Sequence, residues 1–181
     1  MKRDVPEEQQ TAILRKYGLQ RNEYALSICR IEPENNCHMT LEAFAKSGKE
    51  LVFIGNWEHS HYGREVKKKY ETLHNIRMLT SIYDLDMLYA LRKNASVYIH
   101  GHSAGGTNPS LVEAMFFGKP ILCYDVVYNR ETTHGQAYYF KDCDSMVALL
   151  NRTDLDGNAM KQIAEGYYTW NNIAKQYEAL Y

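Results

Sequence analysis

The chain has 181 residues, enough for one domain with a substantial core and too few for two ordinary ones. Lys plus Arg number 21 against 22 Asp plus Glu, so no net field draws in nucleic acid or an anionic membrane, and an anionic ligand must be held by local groups. No apolar run approaches the ~20 residues of a membrane span, and "MKRDVPEEQQ" has charge without an apolar stretch behind it, which argues against a secretory signal and makes the cytoplasm the expected location.

In chain order, "YALSICRI" (24–31) reads as a buried strand, and "NNCHMTLEAFAKSG" (35–48) follows with apolar residues at helical spacing before a terminating glycine. "ELVFIGN" (50–56) is a second strand, and "SHYGREVKKKYETLH" (60–74) a helix whose Lys67–Lys69 run reads as a solvated face. "NIRMLTSI" (75–82) suggests a third strand, "YDLDMLYALRKN" (83–94) a helix capped by Asp84, and "ASVYIHG" (95–101) a fourth strand. Asn108-Pro109 then opens the helix "SLVEAMFFG", closed by Gly118, and the strand "KPILCYD" follows. A short strand is expected at "AYYFKD" (137–142), a helix at "DSMVALLN", and a longer helical tail from residue 156 that Gly166 breaks or bends.

Short apolar strands alternating with helices predict one α/β domain over 1–181: a Rossmann-like parallel sheet with helices on both faces. The four cysteines lack CxxC spacing and lie in or beside apolar segments, which suits reduced, buried thiols. Ligands of such sheets sit at the carboxyl ends of strands, in the loops that lead into helices.

One such loop is unusually rich in small and polar residues: "HGHSAGGTNPSLVEAMFFGKPILCYD", residues 100–125. With Asn108 as cap and Pro109 at the first helical position, free N–H groups point into the cleft, and Gly105-Gly106 lets backbone approach a ligand. That describes either a phosphate cradle or a tight, capped connection. Glu113 lies about one turn inside an otherwise apolar helix, so its carboxylate needs a partner: sugar hydroxyls or a surface lysine would both serve. His100 and His102 point to one side of an extended backbone and suit either an oxyanion or zinc, but no third metal ligand stands at a recognisable spacing. Asp125 and Glu131 fall on the same rim, as solvated carboxylates or hydroxyl acceptors, and Arg30 is free to pair with Glu32 or Glu34.

From residue 24 to the C-terminus the chain resembles the donor-binding, C-terminal domain of GT-B fold, family-four retaining glycosyltransferases, in a rhamnosyltransferase-like subgroup. "CRIEPENN" stands where that family has Gly-Arg-Leu and Pro-Glu-Lys-Gly, so Arg30 matches its diphosphate-binding arginine and Asn35 stands in the lysine's place. Glu42, Ala43 and Phe44 match the family's "EAF", "LVFIGN" its glycine-ended strand, and "VEAMFFGKPIL" the second half of its Glu-x7-Glu motif. Glu113 therefore takes the place of the ribose-binding glutamate, while the first glutamate of the pair is replaced by Gly105. Trp170 occupies the position of a tryptophan in the closing helix, and "PEEQQTAILRKYGLQ" resembles the helix that precedes the first strand.

The resemblance implies a nucleotide-sugar donor, no cofactor and no metal, and transfer with retention to a glycan or lipid-linked acceptor in polysaccharide biosynthesis. It assigns Arg30, Asn35, Gly105, Gly106, Thr107 and Asn108 to the diphosphate, Glu113 to the ribose, and His102 and Ser103 to the donor sugar, with rhamnose or another deoxysugar favoured. Acceptor binding and part of the catalytic centre are expected on an N-terminal domain absent from this chain, which alone is expected to be inactive. The full-length enzyme is expected in the cytoplasm, with a peripheral place at the inner membrane face. The alternatives are a non-catalytic flavodoxin-like nucleotide-binding or interaction domain, and part of a GT-B-type nucleotide-sugar epimerase.

Overall fold

A computed structural model of the chain describes residues 4–178. Its centre is a six-stranded, wholly parallel sheet in the order β3-β2-β1-β4-β5-β6. The strands are β1 (Tyr24–Ile28), β2 (Glu50–Ile54), β3 (Ile76–Leu79), β4 (Val97–His100), β5 (Ile121–Tyr124) and β6 (Tyr138–Phe140). The helices are α1 (Glu7–Lys16), α2 (Cys37–Ser47), α3 (His61–Tyr70), α4 (Leu85–Asn94), α5 (Pro109–Met115), α6 (Val127–Thr132), α7 (Cys143–Leu150), α8 (Asn158–Tyr167) and α9 (Trp170–Glu178).

The near-continuous apolar runs of the strands follow from burial on both faces. Ala25, Leu51, Phe53, Val97, Ile99 and Leu122 face one layer with Phe44 of α2 and Met146 of α7. Tyr24, Leu26, Val52, Ile54, Tyr98, Ile121 and Cys123 face the other, with Leu14 of α1, Leu91 of α4, Leu111 of α5 and Met160 of α8. Successive side chains alternate between the two cores, as the pleat requires. Registers such as Leu26 against Val52 and Tyr98 keep like neighbours on one face.

Helix starts follow the expected chemistry. The Asp84 carboxylate accepts from the Asp86 and Met87 amides, and the Asn108 side-chain oxygen accepts from the Ser110 amide at 3.0 Å, with Pro109 next in line. Three expectations change. Strand β1 ends at Ile28 rather than at residue 31, because Pro33 lies in a turn over Pro33–Asn35 and the chain leaves the sheet to reach it. Helix α5 ends at Met115, three residues before Gly118, whose amide closes a turn onto the Met115 carbonyl. The C-terminal run breaks at Tyr168 and Thr169, while Gly166 stays helical. Asn172 donates to the Glu165 and Gly166 carbonyls, and its amide is accepted by the Thr169 hydroxyl, so side-chain capping sets the break. The expected end of this helix, 179–181, lies outside the described residues.

All four cysteines are free, with Cys37 and Cys123 buried and Cys29 and Cys143 partly so. The Cys29 and Cys37 sulfurs are 3.9 Å apart, and that contact together with burial pushes the Cys29 thiol pKa well up, which keeps it protonated.

Leu26 is fully buried at the centre of the sheet. Leu26→Ala should lower the unfolding free energy by about 2–5 kcal/mol in urea titrations followed by far-UV circular dichroism.

Candidate functional site

The strand order turns round between β1 and β4: β2 and β3 lie to one side of β1, and β4 to β6 to the other. Chains leaving the carboxyl ends of β1 and β4 therefore diverge and leave a crevice, the place where open α/β sheets bind ligands. Residues 29–36 and 101–108 enter it.

These two loops are fastened to each other. The Asn36 amide donates to the Gly101 carbonyl at 2.8 Å, and the Ser103 amide and hydroxyl both donate to the Glu34 carbonyl at 2.8 Å. His102 Nδ1 meets Asn35 Oδ1 at 2.7 Å, while Asn35 Nδ2 donates to the Arg30 carbonyl at 2.8 Å. At Gly101 the backbones touch: a Cβ there would lie 2.2 Å from the Asn35 carbonyl oxygen. Only glycine admits this approach.

Of the residues assigned to the diphosphate, Arg30 is 78% exposed and has a carboxylate, Glu34, only at 3.9 Å. Such a pair holds it weakly, at about 0–1 kcal/mol. Gly105, Gly106 and Thr107 are exposed, and among the described residues their amides donate to no protein acceptor. Asn35 differs in kind. It is buried, and its amide ties the Arg30 carbonyl to the His102 ring. Asn108 likewise has its oxygen taken by the Ser110 amide and hydroxyl, and the Ser103 hydroxyl is taken by Glu34.

Glu113 finds its partner in neither a lysine nor a neighbour on its own helix: Arg92 of α4 donates to Oε2 at 2.6 Å. The carboxylate is still 59% exposed, whereas Arg92 is only 10% exposed and its buried Nε has no partner among the described residues. The arginine thus orients one oxygen and leaves the other open.

The chain matches the model of the family described as glycosyl transferases group 1 over residues 9–167. The chain belongs to that family. A search of curated proteins finds no match. Among solved structures it is similar to HepE of Anabaena in complex with UDP, at 15% identity and a TM-score of 0.80, covering 97% of this chain and 53% of that one. HepE has also been solved with UDP-glucose. Sucrose-phosphate synthase of Thermosynechococcus elongatus matches at 17% identity and a TM-score of 0.77, covering 94% of this chain and 48% of the other. The starch synthase IV catalytic domain of Arabidopsis thaliana, bound to ADP and acarbose, matches at 17% identity and 0.70, covering 96% and 41%. The chain thus spans about half the length of the first two, and the likeness carries the GT-B glycosyltransferase fold.

In this glycosyltransferase domain the remaining rim charges are largely neutralised. Asp125, at the exit of β5, accepts from Arg130 at 2.5 Å and has Lys141 at 3.7 Å, so its carboxyl is held below the usual range chiefly by the Arg130 hydrogen bond. Glu131 stands exposed on α6. His100 is buried, its Nε2 has no partner among the described residues, and burial pushes its pKa down to about 3. Its ring centroid is 6.0 Å from that of His102, which is also held low, mainly by burial. Among the described residues no three His, Cys, Asp or Glu side chains gather as a metal site.

A cavity of about 330 Å³ lies elsewhere, lined by Asn22, Lys49, Glu50, Ser96, Pro120 and Arg152 among others. It sits at the amino ends of the strands, and its Glu50 and Arg152 are paired with Arg77 and Asp154. The crevice at the carboxyl ends is the stronger candidate, because among the described residues the amides at 105–107 donate to no protein acceptor and Arg30 is only loosely paired with Glu34.

Sequence reasoning passed over three residues that build it: Asn36, Arg92 and Asn129. Buried Asn129 donates to the His102 and Tyr124 carbonyls at 2.9 Å, tying the exits of β4 and β5. It lies in α6, a helix too short to show periodicity.

Gly101→Ala should cost about 2 kcal/mol or more, read from the urea midpoint, because backbone must move to admit the methyl. His100 gives a second expectation. Its folded pKa lies below the unfolded 6.5, so below that pH the unfolded chain takes up a proton the folded one refuses. This erodes stability by roughly 1 kcal/mol per pH unit toward pH 3. His100→Leu should remove that part of the fall between pH 6.5 and 5 in matched unfolding series.

Proposed function

We propose that this chain is the nucleotide-sugar donor-binding half of a metal-independent, retaining glycosyltransferase. The observation that carries the reading is the crevice between β1 and β4, where an exposed, loosely paired Arg30 stands on a loop fastened to one that presents unpaired amides at 105–107. A diphosphate needs that combination: a guanidinium that can grip two oxygens, and N–H donors that approach without side chains in the way.

In transfer, negative charge grows on the leaving diphosphate as the glycosidic bond to the donor breaks. Donors already aimed at that charge lower the barrier without reorganising, and Arg30 with the loop amides serves where other enzymes place a divalent ion. Asn35 holds the Arg30 backbone, and Glu113, oriented by Arg92, leaves one carboxylate oxygen for the ribose hydroxyls. The structures of HepE with UDP and of starch synthase IV with ADP support a nucleoside diphosphate as the ligand class. We favour a deoxysugar such as rhamnose as the transferred group, and a glycan or lipid-linked acceptor held by an N-terminal domain, in polysaccharide synthesis. The "RIEPENN" and "HGHSAGGTNPSLVEAM" forms support that choice.

Calorimetry with UDP, GDP, ADP and dTDP tests the reading. One of the four should bind equally well with and without EDTA, and Arg30→Ala should weaken it roughly tenfold, the loss of a charge-assisted contact. Glu113→Gln should weaken the same ligand less, by about two- to fivefold, since the amide oxygen can still accept from a hydroxyl donor. Absence of binding by all four would remove the proposal.

A further inference from the structure

Two thiols bracket the loop that carries Arg30. Cys29 follows the last residue of β1 and Cys37 opens α2, and their sulfurs are 3.9 Å apart. Between them lie residues 30–36, the turn that brings Arg30 and Asn35 to the crevice. The Cys37 sulfur sits inside this turn, 3.7 Å from the Glu32 carbonyl oxygen and 3.9 Å from that of Arg30. Both carbonyls can only accept, so the Cys37 S–H is a weak donor that helps to hold the turn closed.

The two thiols differ in access. Cys37 is fully buried in the core beside Leu41 and Phe44, whereas Cys29 is partly exposed and its amide reaches the Ile54 carbonyl only at 3.3 Å. Cys29 is thus the thiol a reagent meets first and the one with more freedom to move. Oxidation of a dithiol needs that division: an outer thiol that reacts, and an inner one in contact with it that completes the exchange.

Resting on the donor-binding reading above, we propose that Cys29 and Cys37 are a redox modification site, closed to a disulfide by a low-molecular-weight disulfide such as oxidised glutathione, and that closure weakens the grip on the nucleoside diphosphate. The Cys29 thiolate attacks one sulfur of the reagent, and the departing glutathione thiolate takes up the proton that Cys29 lost. The Cys37 thiolate then attacks Cys29 Sγ, forming the internal S–S bond and releasing the second glutathione, which takes the proton from Cys37. Two protein thiols are oxidised and one disulfide is reduced to two thiols. The contact with Cys37 and burial keep the Cys29 thiol protonated at neutral pH, so the exchange should quicken as pH rises. Bonded sulfurs lie about 2.05 Å apart, so the pair must close by roughly 1.9 Å. Cys29 carries most of that movement and the Arg30 backbone with it, and closure removes the S–H that Cys37 donates to the turn. A binding group displaced by more than about 0.5 Å no longer meets its ligand well.

Trypsin cuts after Arg21, Arg30 and Lys46, which parts the two thiols into separate peptides, 22–30 and 31–46. The folded chain incubated with oxidised glutathione at mildly alkaline pH, then alkylated and digested, should yield these two as a linked pair that dithiothreitol separates. Cys37→Ser should instead accumulate glutathione on Cys29, since the second attack is lost. Calorimetry with UDP, GDP, ADP and dTDP should show the best ligand of the reduced protein bound roughly three- to tenfold more weakly after oxidation, approaching the loss expected of Arg30→Ala. Cys29→Ser should bind that ligand equally before and after the same treatment. A folded chain that yields no linked pair, or a linked chain that binds as the reduced one does, would overturn the inference and leave the donor-binding reading intact. Failure of the reduced protein to bind any of the four would instead defeat that reading, and the switch with it.

Discussion

The structure depends on a contact between two backbones. Where β1 and β4 part company, the chain after each strand must turn away, and the two turns must still meet. They meet at Gly101, pressed against the Asn35 carbonyl with no room for a side-chain carbon. Hydrogen bonds from Asn36 and Ser103 close the seam on either side, and Asn129 carries it on to β5. A loop that would otherwise sample many conformations is thereby anchored at its root, which reduces the ordering entropy a ligand must supply.

Charge is distributed with the same economy. The chain is almost neutral, and most acidic and basic side chains near the crevice answer one another: Asp125 with Arg130, Glu113 with Arg92. Against that background, among the described residues, the loosely held Arg30 guanidinium and the open amides at 105–107 are donors placed locally, with no long-range field. Binding of this kind depends on contact geometry more than on steering, and responds only mildly to salt beyond the Debye length.

The fold was open to inspection from the sequence because its determinants are local. Apolar runs of four or five residues, the Asp84 and Asn108 caps and Pro109 each act within a few positions, and they specify the alternation that a parallel sheet needs. The site was legible only in part. Arg30 and the Gly105–Thr107 loop stand out by composition and by family resemblance. The Arg92 partner of Glu113 is 21 positions away, and Asn35 lies 67 positions from His102, so their meeting is a property of the sheet order alone. Gly166 misled for a different reason. Side-chain capping by Thr169 and Asn172 ends α8 more effectively than a permissive residue inside it.

The run from the Arg30 carbonyl through Asn35 to His102 is polar in the sense that each link can donate one way only. A lysine at position 35, as the family resemblance would place there, has donors and no acceptor, so the imidazole would have to carry its proton on Nε2 and accept at Nδ1. Positions 35 and 102 are therefore coupled through the imidazole tautomer: an ammonium at 35 calls for Nδ1 to accept, and the amide oxygen at 35 for Nδ1 to donate. Exchanging the residue at 35 would thus move a proton between the two nitrogens of His102 with no change of sequence at 102.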